Sequence, residues 1–222
     1  MRSSAPLMAL ESHQETGRLV VVEGDPGAGK TSAITSVARE TDVIVVPQLD
    51  HVSDAAVPSA YDPQYPEDWY VDMERARQSD IRKLLHSGQV VLQDRWVLST
   101  LAFVYASAIH RREPGRIRRL LRYLAQGPTF VMPDALVVMS VDVDVGLGRR
   151  SQFRQSDQYR VWFDRAFLIR FQAFYRVVGP RVLPCPTTLI DTSSLSRRST
   201  VDALVHSYAS LDRTVRDPGP RT

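Results

Sequence analysis

Cysteine and asparagine are scarce in this 222-residue sequence, and each scarcity excludes a class of site. With one cysteine, Cys185, the chain can form no internal disulfide and no cysteine-based metal centre, and it fits a reduced setting that we expect to be the cytoplasm. The absence of asparagine removes the Asn-Lys-x-Asp motif by which GTPases recognise guanine. No apolar run approaches the roughly 18 residues of a membrane span, so we expect no membrane partner.

Lysine is scarce as well. It occurs only at positions 30 and 83, so nearly all of the 28 basic residues are arginines, whose forked guanidinium suits phosphate. The net charge of +3 is low for a nucleic-acid-binding protein, and we expect no nucleic-acid partner. The length suits one domain, which we place at residues 17–212, between polar tails at 1–16 and 213–222 that we expect to be disordered.

A glycine-rich turn follows the first apolar run, in the stretch VVEGDPGAGKTSA. Residues 24–31 match the G-x-x-x-x-G-K-[ST] pattern of a phosphate-binding loop, the P-loop. Glycines let backbone N–H groups turn inward around an anion, and the following helix adds the positive end of its dipole. In this motif Lys30 reaches the β- and γ-phosphates of a nucleotide, and the hydroxyl of Thr31 binds Mg²⁺. The expected nucleotide site consists of Gly24, Asp25, Gly27, Ala28, Gly29, Lys30, Thr31 and Ser32.

Strand-like apolar runs alternate with helical patterns along the whole domain. This alternation predicts an α/β fold, with a parallel β-sheet of about five strands and helices on both of its faces. An irregular stretch at 47–65 is expected to be a functional or mobile loop. Strands are predicted at 18–23, 43–46, 89–94, 135–141 and 188–190, and helices at 30–40, 66–86, 97–109, 115–126, 145–150, 160–177 and 200–208.

The predicted strand at 89–94 delivers Asp94 to the carboxyl edge of the sheet, followed directly by Arg95. Ligands of open α/β sheets bind at this edge. Asp94 can organise Mg²⁺ or accept the proton of an incoming hydroxyl, and Arg95 can bind a phosphate group through two hydrogen bonds. An ordinary ion pair at the end of a strand is the alternative interpretation of the same two residues.

Arginines also cluster in a short polar segment near position 150. Arg149, Arg150 and Arg154 lie within residues 149–160, which we interpret as a lid that closes over the site. A lid arginine can neutralise charge on a phosphoryl group during its transfer. The stretch at 111–122 is basic too, but its apolar residues recur at helical spacing, which favours a solvated amphipathic helix over a nucleic-acid patch.

Four collinear segments resemble the thymidylate-kinase branch of the P-loop nucleoside and nucleotide kinases. They are VVEGDPGAGKT, which includes the P-loop, DRWVLSTLAF at 94–103, PDALVVMSVDVDVGLGRR at 133–150 and FLIRFQAFY at 167–175. They are spread along residues 21–175, so the resemblance extends over most of the stretch 18–210. The resemblance implies a P-loop kinase fold and a phosphotransferase that uses ATP and Mg²⁺ to phosphorylate a small-molecule acceptor.

The same resemblance implies roles for individual residues. Members of the family are often dimers, so it also implies a homodimer through helices beside the sheet. Thr31 and Asp94 are the expected metal ligands. The expected catalytic residues are Lys30, Asp94, Arg95, Arg149, Arg150 and Arg154. The expected substrate contacts are Asp25, Gln48, Arg75, Arg95, Ser99 and Phe103.

The acceptor half of the sequence departs from the family pattern. Pro26 stands where the family usually has a carboxylate, and Val104 stands where it has a glutamine that contacts thymine. The family's Arg-Glu-Pro-Gly segment is replaced by the stretch at 47–65. Three functions are therefore open. The first is an ATP-dependent kinase that phosphorylates a nucleoside monophosphate, namely a pyrimidine deoxynucleotide or an analogue of one. The second is a kinase that phosphorylates a hydroxyl of a nucleoside or other small metabolite with Asp94 as base, and the third is a P-loop regulator or nucleic-acid-linked ATPase.

Overall fold

The computed structural model describes residues 10–11, 17–49, 67–127, 129–151, 157–177, 183 and 185–216. Its strands are β1 (Leu10–Glu11), β2 (Arg18–Gly24), β3 (Ile44–Val46), β4 (Val90–Asp94), β5 (Phe130–Val131), β6 (Ala135–Ser140) and β7 (Thr187–Asp191). Its α-helices are α1 (Lys30–Glu40), α2 (Glu67–His86), α3 (Val97–Arg111), α4 (Pro114–Gln126), α5 (Val143–Arg149), α6 (Arg165–Val177) and α7 (Arg197–Arg216).

Five of the strands form one sheet in the order β3-β4-β2-β6-β7, and every pairing in it is parallel. Strand β2, the first of these five in the sequence, lies in the centre of the sheet, with β4 and β3 on one side and β6 and β7 on the other. Val22 of β2 lies opposite Asp94 of β4 and Val137 of β6, so the carboxyl ends of these strands meet at one edge. The predicted α/β fold with a parallel sheet of five strands is confirmed.

Side chains of each strand alternate between the two faces of the sheet. On β2, Val20 and Val22 pack in the core beneath α1 and α7, whereas Leu19 and Val21 pack in the core formed with α2, α3 and α6. Because helices cover both faces, the strands are almost continuous apolar runs. Glu23 follows the same alternation, and its carboxylate therefore points toward α3 and α6.

The helix predicted at 160–177 is divided in two. A 3-10 segment ends at Phe163, and α6 begins after Asp164. The Asp164 carboxylate accepts the N–H of Phe167 at 3.0 Å, which caps the new helix and accounts for the break. The phenylalanines of α6 are buried, with Phe167 and Phe171 both at 0% exposure.

Both ends of the described chain contain more regular structure than the sequence predicts. Leu10–Glu11 lies within the segment expected to be a disordered tail, and it pairs in parallel with Phe130–Val131. Helix α7 continues to Arg216, past the predicted domain end at residue 212. A pairing of two residues is stabilised by backbone hydrogen bonds and is too short to carry a periodic apolar pattern, so the sequence gives no sign of it.

Helix α4 contains most of the basic stretch noted in the sequence. Leu120 and Leu124 are buried, whereas Arg118, Arg119 and Arg122 are exposed. The stretch is therefore an amphipathic helix with a solvated basic face, as expected. Within the described ranges, the helices are all too short or too polar to cross a membrane.

Helix α2 ends at the amino edge of the sheet. The N–H of Gly17, directly before β2, donates to the carbonyl of Leu85 at 3.1 Å. In the last turn of the helix, Lys83 is 74% exposed and its Nζ lies 2.8 Å from the Asp80 carboxylate. One of the two lysines of the chain is thus on the surface, at the edge of the sheet opposite the P-loop.

Candidate active site

The P-loop joins the carboxyl end of β2 to α1, at the edge where parallel sheets bind ligands. Its three glycines, Gly24, Gly27 and Gly29, have positive φ angles of 122°, 84° and 86°. Lys30 is 5% exposed and folds back over the loop, where its Nζ donates to the carbonyls of Gly24 at 2.9 Å and Asp25 at 2.7 Å. The loop's own backbone thus holds the ammonium group at the position from which it can turn to a phosphate.

Gly27 and Gly29 share a left-handed backbone but differ in their surroundings. A Cβ on Gly27 would lie 2.8 Å from the carbonyl oxygen of Gly146 in α5 and 3.1 Å from the Cδ of Arg150. A Cβ on Gly29 would have no atom within 4 Å. One side of the loop is therefore packed against α5, and the other is open to a ligand.

Thr31 and Asp94 form a hydrogen bond across the end of the sheet. The Thr31 Oγ1 donates to Asp94 Oδ2 at 2.7 Å. Asp94 is 2% exposed, and its Oδ1 is buried with no hydrogen-bond partner in the described part of the chain. A buried carboxylate oxygen without a partner is costly, and carboxylate and hydroxyl oxygens are ligands that Mg²⁺ prefers. The residues present therefore fit a magnesium ion.

Arg95 follows Asp94 in a left-handed turn, with φ of 63°. Its backbone N–H donates to the carbonyl of Val22 at 3.0 Å, which fixes the turn beside the P-loop strand. The Arg95 Nε donates to Gln48 Oε1 at 2.9 Å, and its Nη1 donates to Ser99 Oγ at 3.1 Å. The structure thus brings together three of the side chains that the sequence analysis assigned to the substrate.

Buried polar side chains of α2 and β4 stabilise this turn. The Arg95 carbonyl accepts hydrogen bonds from Arg77 Nη2 at 3.0 Å and from Gln93 Nε2 at 2.9 Å. Glu74 is 2% exposed, and it pairs with Arg77 and accepts from Gln93 Nε2 at 2.8 Å. Because these groups are packed inside the protein, they fix the direction in which the Arg95 side chain leaves the sheet.

Arg77, and not Arg75, is the arginine of α2 that reaches this turn. Arg75 instead donates to the carbonyl of Tyr123 at 3.0 Å and pairs with Asp72. Gly127 leaves room for it, since a Cβ there would lie 1.8 Å from Arg75 Nη2. The structure therefore does not bring Arg75, predicted as a substrate contact, to the site. Residues two apart on a helix point in nearly opposite directions, so the register of α2 decides which arginine is used.

Glu23 is a residue of the site that the sequence analysis missed. It is 0% exposed and accepts from the N–H groups of Trp96 at 2.8 Å and Ser99 at 3.1 Å. It also accepts from the hydroxyls of Ser99 at 2.6 Å and Tyr175 at 2.8 Å. Burial raises the pKa of Glu23, and the nearby Arg95 guanidinium opposes that rise. The signal in the sequence was its place, as a charged residue that ends an apolar strand directly before the P-loop.

The predicted lid arginines flank the P-loop where they are described. Arg149 Nη1 donates to the carbonyl of Gly27 at 3.4 Å, so it contacts the loop itself. Arg150 is half-buried, and its Nη1 donates to the carbonyl of Trp162 at 3.1 Å. Arg154 lies outside the described residues, and its role stays a prediction.

Lys30, Arg95 and Arg150 concentrate positive charge at this edge of the sheet. Burial, followed by repulsion from Arg95, lowers the pKa of Lys30 to about 7. The same two causes, in the same order, lower the pKa of Arg150 to about 10. Neighbouring like charges that are partly removed from water favour a bound anion, which would stabilise their charged forms. The electrostatics of the site therefore suit a phosphate-bearing ligand.

The remaining predicted residues lie in or beside the loop and the core. Asp25 is 2% exposed, its carboxylate accepts the N–H of Val141 at 3.1 Å, and burial raises its pKa to about 6. Phe103 is 5% exposed and belongs to the aromatic part of the core. Ala28 is buried in the loop, and Ser32 is exposed on the first turn of α1. Their roles as ligands stay predictions.

Comparisons with known proteins give a likeness of structure. No protein-family model matches the chain, and no curated sequence matches it. It is similar to deoxyadenosine kinase from M. mycoides with bound dATP, with a TM-score of 0.64 and 12% identity over 86% of this chain and 98% of that chain. The same kinase with products dCMP and a flexible dCDP bound gives a TM-score of 0.61 and 13% identity over 86% and 99%. Thymidylate kinase from Candida albicans gives a TM-score of 0.65 and 14% identity over 87% of this chain and 92% of that chain.

At identities this low, the likeness shows the fold alone. The chain has the fold of the P-loop nucleoside and nucleotide kinases, and it covers nearly the whole length of these structures. The P-loop kinase fold implied by the sequence resemblance is thereby confirmed.

Proposed function

We propose that the protein is an ATP-dependent phosphotransferase that moves the γ-phosphate of ATP to a nucleoside monophosphate, a pyrimidine deoxynucleotide or an analogue of one. One observation carries the proposal, the Thr31–Asp94 pair with its buried Asp94 oxygen that lacks a partner among the described residues, next to the P-loop. A hydroxyl and a carboxylate beside a P-loop are oxygen ligands that could hold the metal ion of a bound triphosphate. The likeness of the fold to a deoxyadenosine kinase and a thymidylate kinase supports transfer to a second small molecule.

On the donor side, Lys30 exchanges the carbonyls of Gly24 and Asp25 for oxygens of the β- and γ-phosphates. The anion raises the pKa of Lys30 from about 7, so the side chain is cationic in the complex. Thr31 and Asp94 would hold Mg²⁺, which would neutralise charge on the phosphates.

On the transfer side, the protein supplies positioning and positive charge. Arg95 and Arg150 stabilise the charge on the transferring group, and their half-buried setting strengthens that interaction relative to water. Arg149 donates to the carbonyl of Thr192 at 2.7 Å and to that of Gly27 at 3.4 Å, and it is proposed to hold the P-loop beside the end of β7. Arg154 is proposed to close from the lid.

The charges around the site favour a monophosphate as acceptor. A monophosphate carries its own charged oxygen, so it needs cations rather than a general base, and Arg95 and Arg150 provide them. Glu23 and Asp25 are buried and accept hydrogen bonds from the protein interior, so neither is placed to take a proton from a substrate.

A second candidate is a kinase of the same fold that phosphorylates a hydroxyl of a nucleoside or another small metabolite. The observation that favours it is again Asp94, whose Oδ1 is without a hydrogen-bond partner in the described ranges and could accept the proton of a hydroxyl. The likeness to a deoxyadenosine kinase agrees with this alternative.

The test is release of ADP from ATP and Mg²⁺ with a panel of acceptors. One half of the panel contains nucleoside monophosphates, and the other contains nucleosides and small hydroxylated or amino metabolites. Lys30→Ala is the inactive control, and Lys83→Ala is its matched counterpart, because it removes the other lysine, which is exposed and far from the P-loop.

Turnover on a monophosphate that is lost in Lys30→Ala and kept in Lys83→Ala supports the proposal. Turnover on uncharged acceptors only would select the second candidate, with Asp94 as base. ATP binding without transfer to any acceptor would contradict both.

A further inference from the structure

We propose that Glu23 is a positioning residue for the phosphoryl transfer, and that with Tyr175 it couples helix α6 to the orientation of Arg95. This inference rests on the proposed function for its kinetic consequence and on the geometry for its structural one. Four side chains form a continuous hydrogen-bonded chain from α6 to the turn after β4: Tyr175, Glu23, Ser99 and Arg95.

The first part of this hydrogen-bonded chain is the cap of helix α3, which a side chain of strand β2 supplies. Helix α3 begins after Trp96, whose own side chain makes no capping hydrogen bond. Glu23 Oε1 accepts the N–H of Trp96 at 2.8 Å and the N–H of Ser99 at 3.1 Å, so a carboxylate of β2 caps α3. A negative charge at a helix amino terminus is stabilised by the helix dipole. The first turn of α3 is therefore fixed relative to the strand that leads into the P-loop.

The second part is the chain of hydroxyls on the other oxygen. Ser99 Oγ donates to Glu23 Oε2 at 2.6 Å, which leaves its lone pairs to accept Arg95 Nη1 at 3.1 Å. The charge of Glu23 thus determines the direction in which the serine hydroxyl points. The Ser99 hydroxyl has one proton, and that proton is donated to the Glu23 carboxylate. Its oxygen can therefore only accept from Arg95.

The third part is Tyr175, which brings in α6. Its hydroxyl donates to Glu23 Oε2 at 2.8 Å, and its ring packs edge-on against Phe171 and Phe174 with centroids at 5.4 and 5.5 Å. Helix α6 follows the segment that contains the predicted lid. A shift of α6 would therefore move the donor of one hydrogen bond to Glu23 and alter the support of Arg95.

Two substitutions separate this role from a contribution to folding alone. Glu23→Gln keeps the shape and an oxygen for the two backbone N–H groups, but it removes the charge. Tyr175→Phe keeps the packed ring and removes the hydroxyl that donates to Glu23 and lies 3.3 Å from Ser99 Oγ. Tyr105→Phe is the matched control, since Tyr105 lies on α3 with its ring 5.8 Å from that of Phe174 and outside the hydrogen-bonded chain.

We expect kcat to fall by about 10-fold in Tyr175→Phe and by up to about 100-fold in Glu23→Gln, as for loss of a hydrogen bond to a charged group. The KM for ATP is expected to stay near the wild-type value in both, and Tyr105→Phe to behave as wild type. A lowered thermal stability with unchanged kcat in Glu23→Gln and Tyr175→Phe would overturn the proposal, because Glu23 would then serve the fold alone.

A second readout does not depend on the acceptor. In protein labelled with ¹⁵N at arginine Nε, the Arg95 Nε–H signal is identified by its loss in Arg95→Lys. Its hydrogen bond to Gln48 predicts slow exchange with water in the wild type and in Tyr105→Phe, and exchange at least about 5-fold faster in Glu23→Gln. Faster exchange supports the positioning role even if the wild type transfers phosphate to no acceptor. Equal exchange in all variants would overturn the role even if the proposed function holds.

Discussion

Gly27 and Gly29 offer a pair of substitutions that share one energetic cost and differ in another. Their φ angles are 84° and 86°, so alanine at either position must enter the left-handed region, at about 1–2 kcal/mol. Only at Gly27 would the added Cβ meet backbone, at 2.8 Å from the carbonyl oxygen of Gly146. A backbone contact this close forces α5 or the loop to shift, and such overpacking typically costs about 1–3 kcal/mol.

We therefore expect Gly29→Ala to lower the free energy of unfolding by about 1–2 kcal/mol, and Gly27→Ala by about 2–5 kcal/mol. The assay is urea unfolding of the ligand-free proteins, followed by circular dichroism. With an m value of about 2 kcal/mol/M, a difference of about 2 kcal/mol separates the two midpoints by about 1 M. The effect of glycine on the unfolded chain is the same in both variants, so it cancels from the comparison.

Gly148→Ala in α5 is the control, because a Cβ at Gly148 has no atom within 4 Å and the substitution adds a better helix former. It should not lower the midpoint. Equal midpoints for Gly27→Ala and Gly29→Ala, or a lower midpoint for Gly29→Ala, would refute the packing of the P-loop against α5.

Three further predictions concern single side chains. Asp94→Asn should lower turnover by about 100- to 1,000-fold while ATP still binds without Mg²⁺, and retained turnover would remove the role of Asp94. Burial raises the pKa of Asp25 from 3.8 to about 6, so the folded state holds this proton more tightly and the stability of the wild type falls as the pH rises through that interval. Asp25→Asn is neutral at every pH, so it should be more stable than the wild type by about 2–3 kcal/mol at neutral pH and about equally stable near pH 4. Urea unfolding measures both, and a variant that is less stable than the wild type at neutral pH would contradict the burial of this charge. Burial also raises the pKa of Cys185 to about 11, so iodoacetamide at about pH 8 should alkylate the folded protein about 100-fold more slowly than the urea-unfolded protein, and equal rates would contradict this environment.

The parts of the site that lie within one sequence segment could be predicted. The P-loop is a turn whose residues act through their own backbone, so Gly24 and Lys30 are recognisable without any knowledge of the rest of the chain. Asp94 was predictable for a similar reason, since it ends an apolar strand and the parallel sheet places it beside Thr31. The resemblance of four segments to one kinase branch gave the fold, which the structural likenesses confirm.

The parts that depend on register or distant partners could not be predicted. Glu23 and Tyr175 are 152 positions apart, and neither has a local pattern that indicates a hydrogen bond between them. Arg75 and Arg77 have the same charge and lie two residues apart on α2. Only the rotation of the helix about its axis decides that Arg77 donates to the Arg95 carbonyl, whereas Arg75 donates to the carbonyl of Tyr123 in α4. Residues 50–65 of the loop predicted at 47–65 lie outside the described residues, so the expectations placed on that loop stay predictions.

The scarcity of lysine makes amine-directed coupling to this protein nearly specific to one side chain. Lys30 is 5% exposed and its amine is occupied by two backbone carbonyls, whereas Lys83 is 74% exposed. Apart from the terminal amine of the chain, a lysine reagent therefore reaches Lys83, at the edge of the sheet opposite the P-loop. The natural sequence can thus be tethered to a sensor surface, or carry a dye, with its P-loop edge facing the solution.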